Sequence, residues 1–266
     1  MSEKSKIQPE KRALILYTSH PQKEASRKYL GNSAHQCQSI YRAFLKHILS
    51  VATDAQQVIN FDVIVVSDQP DRQNIDRIYQ SLPKGSDYTF VEHRGKSFGE
   101  KFDHALKAVF NKGYNQLAVI GNDCLDITPD IIQSTFQRLT AHDVVLGPSK
   151  DGGFYLVGIR ESHASLFDDV GWCTGGVFEQ VCQNVERQGK SLSLLPGLSD
   201  IDTNDDLRQW LLAPHHHGNH WLYLLITHLL TIQIFPLLYL IPFINKFHLN
   251  KRIWQKPPPR FDFPTM

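Results

Sequence analysis

Apolar positions in the first two hundred residues come in two rhythms. Short solid runs, which suit strands buried on both faces, alternate with longer stretches in which apolar residues recur every three or four positions, as on one face of a helix. Ala13 to Thr18 is the first solid run. A helix is predicted from Ala34 to about Leu49 with Ser33 as its N-cap, followed by a strand from Phe61 to Ser67 that ends at Asp68. Tyr88 to Val91 is a short strand, and Phe98, Phe102, Ala105, Leu106 and Val109 stand at helical spacing before Gly113, which can close the helix. Leu117 to Ile120 is the next strand. Thr128-Pro129 supplies an N-cap and an N1 proline for a helix to about Leu139. Strands are predicted at Asp143 to Gly147 and Phe154 to Ile159, a helix at Thr174 to Gln188, a last strand at Ser191 to Leu195, and a helix after Thr203. Strands alternating with helices imply an α/β sandwich with a mostly parallel sheet, and the short spacing between Leu146 and Phe154 admits one antiparallel hairpin, hence a mixed sheet.

Composition changes this picture little. The 266 residues are 41% hydrophobic and 21% charged, with a formal net charge of +1. That is an ordinary folded chain without the basic field or aromatic-laced basic stripe that would mark nucleic acid as a partner. Cys37, Cys124, Cys173 and Cys182 lack CxxC spacing, and the polar, lysine-rich start has no apolar leader, so reduced thiols and a cytoplasmic domain are expected. Two units are predicted: residues 1–213, and a tail at 214–266. From Trp221 to Ile244 the tail has no Asp, Glu, Lys or Arg, but Pro236 and Pro242 interrupt it. Lys246, Lys251, Arg252, Lys256 and Arg260 follow against the single acid Asp262. Such a segment fits peripheral contact at the inner face of the cell membrane through 221–260, or packing within the fold. His215-His216-His217 with His220 reads either as a polar linker or as a transition-metal site, and Pro257-Pro258-Pro259 as extended chain.

Candidate chemistry gathers where the strands end. The run Leu117-Ala118-Val119-Ile120 stops at Gly121-Asn122-Asp123-Cys124-Leu125-Asp126. Asp123 and Asp126 either close the strand and start the helix, or offer hard oxygen ligands to Mg²⁺ or Mn²⁺ carrying a phosphorylated substrate. Asp151-Gly152-Gly153 is a hairpin turn or a place where a ligand lies against bare backbone. Asp200 and Asp202 follow the last strand on a loop and are the favoured ligands, whereas Asp205 and Asp206 fit the first turn of the next helix, where negative charge complements the macrodipole. Gly95-Lys96-Ser97-Phe98-Gly99-Glu100 leads into a helix, so its amides and Lys96 can hold a phosphate or nucleobase, or form a solvated turn. Trp172 either fills the core or stacks on a base or sugar.

In this order Gly99-Glu100-Lys101, Gly121-Asn122-Asp123-Cys124-Leu125-Asp126-Ile127-Thr128, Leu146-Gly147-Pro148 with Asp151-Gly152-Gly153-Phe154-Tyr155, Trp172, and Asp200-Ile201-Asp202-Thr203 resemble a bacterial family of largely uncharacterised transferases. That family belongs to the glycosyltransferase-A (GT-A), or nucleotide-diphospho-sugar transferase, superfamily. It is often found beside radical-SAM and selenium-associated domains and is similar to molybdopterin and phospholactate guanylyltransferases. The resemblance, from about Arg12 to Leu212, implies a Rossmann-like GT-A three-layer α/β/α sandwich. It also implies Asp123 as the metal ligand for Mg or Mn, with Asp126 the second carboxylate that the strand end offers. Nucleotide contacts are implied at Gly95, Lys96, Phe98, Gly99 and Glu100, and Asp151, Gly152 and Gly153 are implied to face the acceptor or transferred group. Arg27 or Lys28 offers the phosphate-binding cation, Asn122 a further nucleotide contact, and Trp172 a substrate-stacking ring. Asp151 or Asp202 is the expected general base. The chain departs from the family at Ser19 to Leu30, where members carry a glycine-containing phosphate loop, and at Leu125, where proline is common. The expected activity is transfer from a nucleotide-activated donor, glycosyl transfer from a nucleoside diphosphate sugar being favoured, with an acceptor the sequence does not identify; an interfacial tail would suit a lipid-linked one. Nucleotidyl transfer of the guanylyltransferase type and a non-catalytic nucleotide-binding scaffold are the alternatives.

Overall fold

The computed structural model describes residues 10–19, 21–67, 88–160, 164–213 and 220–231. Asp68, His215 to His217, and the tail from residue 232, with its proline run and its basic residues, lie outside them. In chain order the elements are β1 (Arg12–Tyr17), α1 (Pro21–Arg27), α2 (Ala34–Gln56), β2 (Asp62–Ser67), β3 (Tyr88–Glu92), α3 (Phe98–Phe110), β4 (Gln116–Ile120), α4 (Pro129–Arg138), β5 (Val144–Pro148) and β6 (Phe154–Arg160). A 3-10 turn (Ala164–Phe167), α5 (Val177–Arg187), β7 (Leu192–Leu194), α6 (Asn204–Leu212) and α7 (His220–Thr231) complete them.

The strands form one seven-stranded sheet in the order β3-β2-β1-β4-β6-β5-β7. β6 runs antiparallel to β4 and β5, while the β1–β2, β1–β4, β2–β3 and β5–β7 pairs are parallel. This is the mixed, mostly parallel α/β sandwich that the apolar rhythm implied. The central strands are solid apolar runs because helices cover both faces. Leu14, Leu16, Val63, Val65 and Ile120 pack with Ile48 of α2 and Phe136 of α4. Ala13, Ile15, Ile64, Val66 and Val119 face Phe102 of α3 and Val181 of α5. Each such fully buried Leu, Ile or Phe contributes roughly 1.5–3 kcal/mol. A third cluster joins Tyr41 and Phe44 of α2 to Trp210 of α6 and to Leu222 and Ile226 of α7. Residues 220–231, placed by their sequence in the tail, thus pack on α2.

Three boundaries differ from the sequence reading. α2 runs to Gln56 rather than Leu49, because Val51, Ala52 and Ala55 continue its buried face and the Thr53 hydroxyl turns back to donate to the Leu49 carbonyl at 2.9 Å. Residues 21–27 are helical, although no helix was expected there. α5 starts at Val177, not Thr174, because the Gly175 carbonyl lies against Gly152 and Gly176 stands at the N-cap.

Candidate functional site

From β1 the chain moves outward to β2 and β3 on one side, then returns as β4 on the other. The reversal opens a crevice outside the carboxyl ends of β1 and β4, the position where open α/β sheets take ligands. A cleft of about 230 Å³ lies there. Thr18 and Ser19 after β1, Asn122 and Asp123 after β4, and Tyr155 of β6 reach it from the sheet; Arg27 and Lys28 enter from the α1 side. Phe98 of α3, with Tyr17 and Phe154, supplies an aromatic wall, and Asp200 lies opposite.

The loop after β4 is held from two sides. His47 of α2 is buried and its Nε2 is 3.0 Å from the Leu125 carbonyl; burial lowers its pKa to about 4, which keeps the ring neutral. The Ile201 amide donates to the Asp123 carbonyl at 3.0 Å, which clamps the 198–203 loop to the end of β4. Gly121 permits the turn, since a Cβ there would stand 2.7 Å from Asp123 Oδ1. Asp123, Asp200 and Asp202 are thereby brought to one place from positions far apart in the chain.

Their charges are unequally matched. Lys28 Nζ lies 2.7 Å from Asp123 Oδ2 and 2.5 Å from Asp202 Oδ1. Burial works against the Lys28 proton, but Asp123 and Asp202 outweigh it and the ammonium is held charged. Asp200 Oδ1 is buried without a hydrogen-bond partner, and burial, with repulsion from Asp123 and Asp151, pushes that carboxyl up to about 8.

The divalent ion implied by the resemblance can be tested against these donors. Among the described residues no three His, Cys, Asp or Glu side chains gather as a ready-made metal cage. Asp123 with the orphaned oxygen of Asp200 instead forms a two-carboxylate, oxygen-only donor set. That suits Mg²⁺ or Mn²⁺ arriving with phosphate oxygens, because Mg²⁺ is commonly bound through one or two carboxylates plus substrate phosphates. The chemistry of these two carboxylates fits the ion.

Asp126 turns away: its Oδ1 accepts from Trp210 Nε1 at 2.9 Å, and it lines a second cavity of about 490 Å³ with Asp151 and Asp202. Asp200 borders both cavities. Asp151 closes its turn, accepting from the Ser149 hydroxyl and, at 3.0 Å, from the Gly153 amide. Gly152 has a φ of +89°, and a Cβ there would sit 2.0 Å from the Gly175 carbonyl oxygen, so the glycine serves a close backbone approach within the protein. Asp206 forms a capping box with Thr203, and Asp205 pairs with Arg208. Of the 95–100 loop, Phe98 alone lines the cleft. Gly95 and Glu100 border a separate hollow beside α3, and Glu100 accepts from the Lys96 amide at 2.7 Å. Trp172 packs over Gly99 with its ring 4.9 Å from Phe98 and 5.0 Å from Phe102, and it backs the aromatic wall. Tyr17, part of that wall, shows in the sequence only as a strand residue. Its signal was an aromatic ring closing an apolar run at the edge where ligands collect.

Residues 51–174 match a family described as "Uncharacterized protein conserved in bacteria (DUF2064)". No functionally curated protein matches the chain. Among solved structures, a candidate nucleotide-diphospho-sugar transferase from Desulfovibrio desulfuricans G20 is similar at 21% identity, with a TM-score of 0.69, over 82% of this chain and 95% of the other. A 4-diphosphocytidyl-2C-methyl-D-erythritol synthase from Anaerococcus prevotii is similar at 10% identity, with a TM-score of 0.52, over 75% and 94%. At these identities the shared property is the fold.

Proposed function

We propose that this chain is a transferase that takes a nucleotide-activated donor in the β1–β4 cleft with a divalent ion, and that the reaction is glycosyl transfer from a nucleoside diphosphate sugar. One observation carries the reading: Asp123, ion-paired with Lys28, and the half-satisfied Asp200 line one cleft at the switch point of the sheet. The similarity in fold to a candidate nucleotide-diphospho-sugar transferase supports it.

Asp123 and Asp200 would hold the ion, which would neutralise charge on the diphosphate as it leaves. Phe98 and Tyr17 offer faces on which a base can stack. Arg27, which lies toward the cleft mouth, and Lys28 supply cations for the phosphates, with Ser19 and Asn122 as polar neighbours. The acceptor enters the second cavity, which shares Asp200 with the first. Its hydroxyl loses a proton to Asp202 as its oxygen bonds to the anomeric carbon and the nucleoside diphosphate departs. Asp151 orients that hydroxyl from the same cavity.

Glycosyl rather than nucleotidyl transfer is favoured by charge. Asp126, Asp151, Asp202 and Asp206 line the acceptor cavity against Lys150, which opposes a phosphate-bearing acceptor and suits a neutral or cationic hydroxyl compound. Helix α1 also stands in place of the glycine-containing phosphate loop expected of nucleotidyl transfer. A lipid-linked acceptor is supported by the outward-facing Trp221 and Leu224 of α7 together with the apolar and then basic sequence that follows. No helix among the described residues is long and apolar enough to cross a membrane. The cytoplasmic assignment belongs to the same proposal.

The test is a panel of nucleoside diphosphate sugars incubated with Mn²⁺ and hydroxylated acceptors. Release of free nucleoside diphosphate, abolished in Asp123→Ala, is expected. Tight nucleotide binding without donor consumption would point to the scaffold reading, and pyrophosphate release from a nucleoside triphosphate to the nucleotidyl one.

A further inference from the structure

Lys28 stands where an incoming cation would compete with it. Its ammonium bridges Asp123 and Asp202 at 2.7 Å and 2.5 Å, while Asp200 Oδ1, in the lining of the same cleft, has no hydrogen-bond partner. The main chain around Lys28 is fastened on both sides. Its amide donates to the Glu24 carbonyl at 2.8 Å, its own carbonyl accepts from Cys37 Sγ at 3.0 Å, and Gly31 exchanges two hydrogen bonds with the Asn204 side chain. What remains free to move is the long side chain, whose compact charge sits on a flexible four-carbon stem.

We propose that Lys28 is a resident cation that couples metal to donor: its ammonium occupies Asp123 in the empty protein and transfers to the donor's diphosphate when a divalent ion takes the carboxylates. This rests on the transferase reading above and adds to it an order of events. A divalent ion alone must displace Lys28 and then stand beside its positive charge, so metal alone binds weakly. A diphosphate gives the displaced ammonium a new anionic partner, so metal and diphosphate strengthen each other's binding. Such coupling is reciprocal by linkage. Asp202, released from Lys28 in the same movement, becomes available on the acceptor side at the stage when a base is needed.

Binding of Mn²⁺ alone, followed by calorimetry or electron paramagnetic resonance, tests the coupling without any turnover. Lys28→Met and Lys28→Gln, each checked for native circular dichroism and a cooperative melt, are expected to bind Mn²⁺ at least about tenfold more tightly than the unaltered protein. Their affinity for pyrophosphate in the presence of EDTA should fall by a similar factor. Lys150→Met removes the same charge from the adjoining cavity, where it does not bridge Asp123, and should change Mn²⁺ affinity by less than about threefold. Equal or weaker Mn²⁺ binding in both Lys28 variants overturns the coupling, and an equal gain in Lys150→Met reduces it to general charge. Either result leaves the transferase reading standing if Mn²⁺ and a nucleoside diphosphate still bind together in an Asp123-dependent way. No uptake of Mn²⁺ by any of these proteins, with or without UDP, GDP or CDP, removes both.

Discussion

Asp123 and Asp126 are neighbours on one loop, yet the fold sends them to different cavities. Asp123 meets Lys28 in the β1–β4 cleft, whereas Asp126 accepts from the Trp210 indole. Their substitutions should therefore part company. Asp123→Asn is expected to weaken Mn²⁺-dependent nucleotide binding by about 10–100-fold, and Asp126→Asn by no more than about threefold, both read by calorimetry. A large effect of Asp126→Asn would favour Asp126 as a metal ligand. Gly152 gives a second contrast. Its left-handed φ and the 2.0 Å approach that a Cβ would make to the Gly175 carbonyl predict that Gly152→Ala costs more than about 1–3 kcal/mol in denaturant unfolding, because turn and loop must separate. Glycines at this turn were visible in the sequence as permission for a close approach. That the approaching atoms are the protein's own, from the Gly175 loop, depended on packing.

Helices here hold loops as much as they bury apolar surface. His47 projects from α2 to the Leu125 carbonyl, and burial lowers its pKa to about 4 from an ordinary 6.5. Between those values the unfolded chain binds a proton that the folded protein refuses, so stability present at neutral pH is lost as pH falls from about 6.5 toward 4. His93, stacked on Tyr17, is lowered to about 4 as well, by burial and then by Lys101, and titrates in the same window. His47→Gln should accordingly flatten only part of the decline in melting temperature between pH 7 and pH 4, and an unchanged profile would count against His47 as a contributor. Ser33, Thr128 and Thr203 cap α2, α4 and α6 through bonds to the third residue onward, as their positions before apolar-periodic stretches implied. Thr203→Ala, which breaks the capping box with Asp206, is expected to cost about 1 kcal/mol. Cap residues act within one turn and are legible for that reason. α1 was not, because Pro21–Arg27 has too few apolar positions to show a period and its buried contacts, Pro21, Glu24 and Ala25, are made with the rest of the fold.

Across the whole molecule, the third apolar cluster ties the amino-terminal half to the carboxyl-terminal end of the described chain. Leu222 and Ile226 of α7 are fully buried against α2, and the Gln36 amide donates to the Leu229 carbonyl. Leu222→Ala and Ile226→Ala are each expected to cost about 2–5 kcal/mol in chemical denaturation. A negligible cost would mean that α7 does not dock on α2 in solution. The apolar rhythm alone determined the class of fold, the mixed sheet and the strand ends at which acids accumulate, because burial on two faces demands solid apolar runs and the rhythm of a helix differs from that of a strand. It also singled out Asp123, Asp126, Asp151, Asp200 and Asp202, since carboxylates are costly beside a buried strand unless a partner waits for them. Which acids meet which partners was settled by folding. The pairing of Lys28 with Asp123 and Asp202, the turning of Asp126 to Trp210, and the placing of Phe98 without Gly95 at the cleft all depend on contacts between segments far apart in the chain. Local periodicity carries no trace of such contacts, because each side chain's direction is fixed only when the helices close over the sheet.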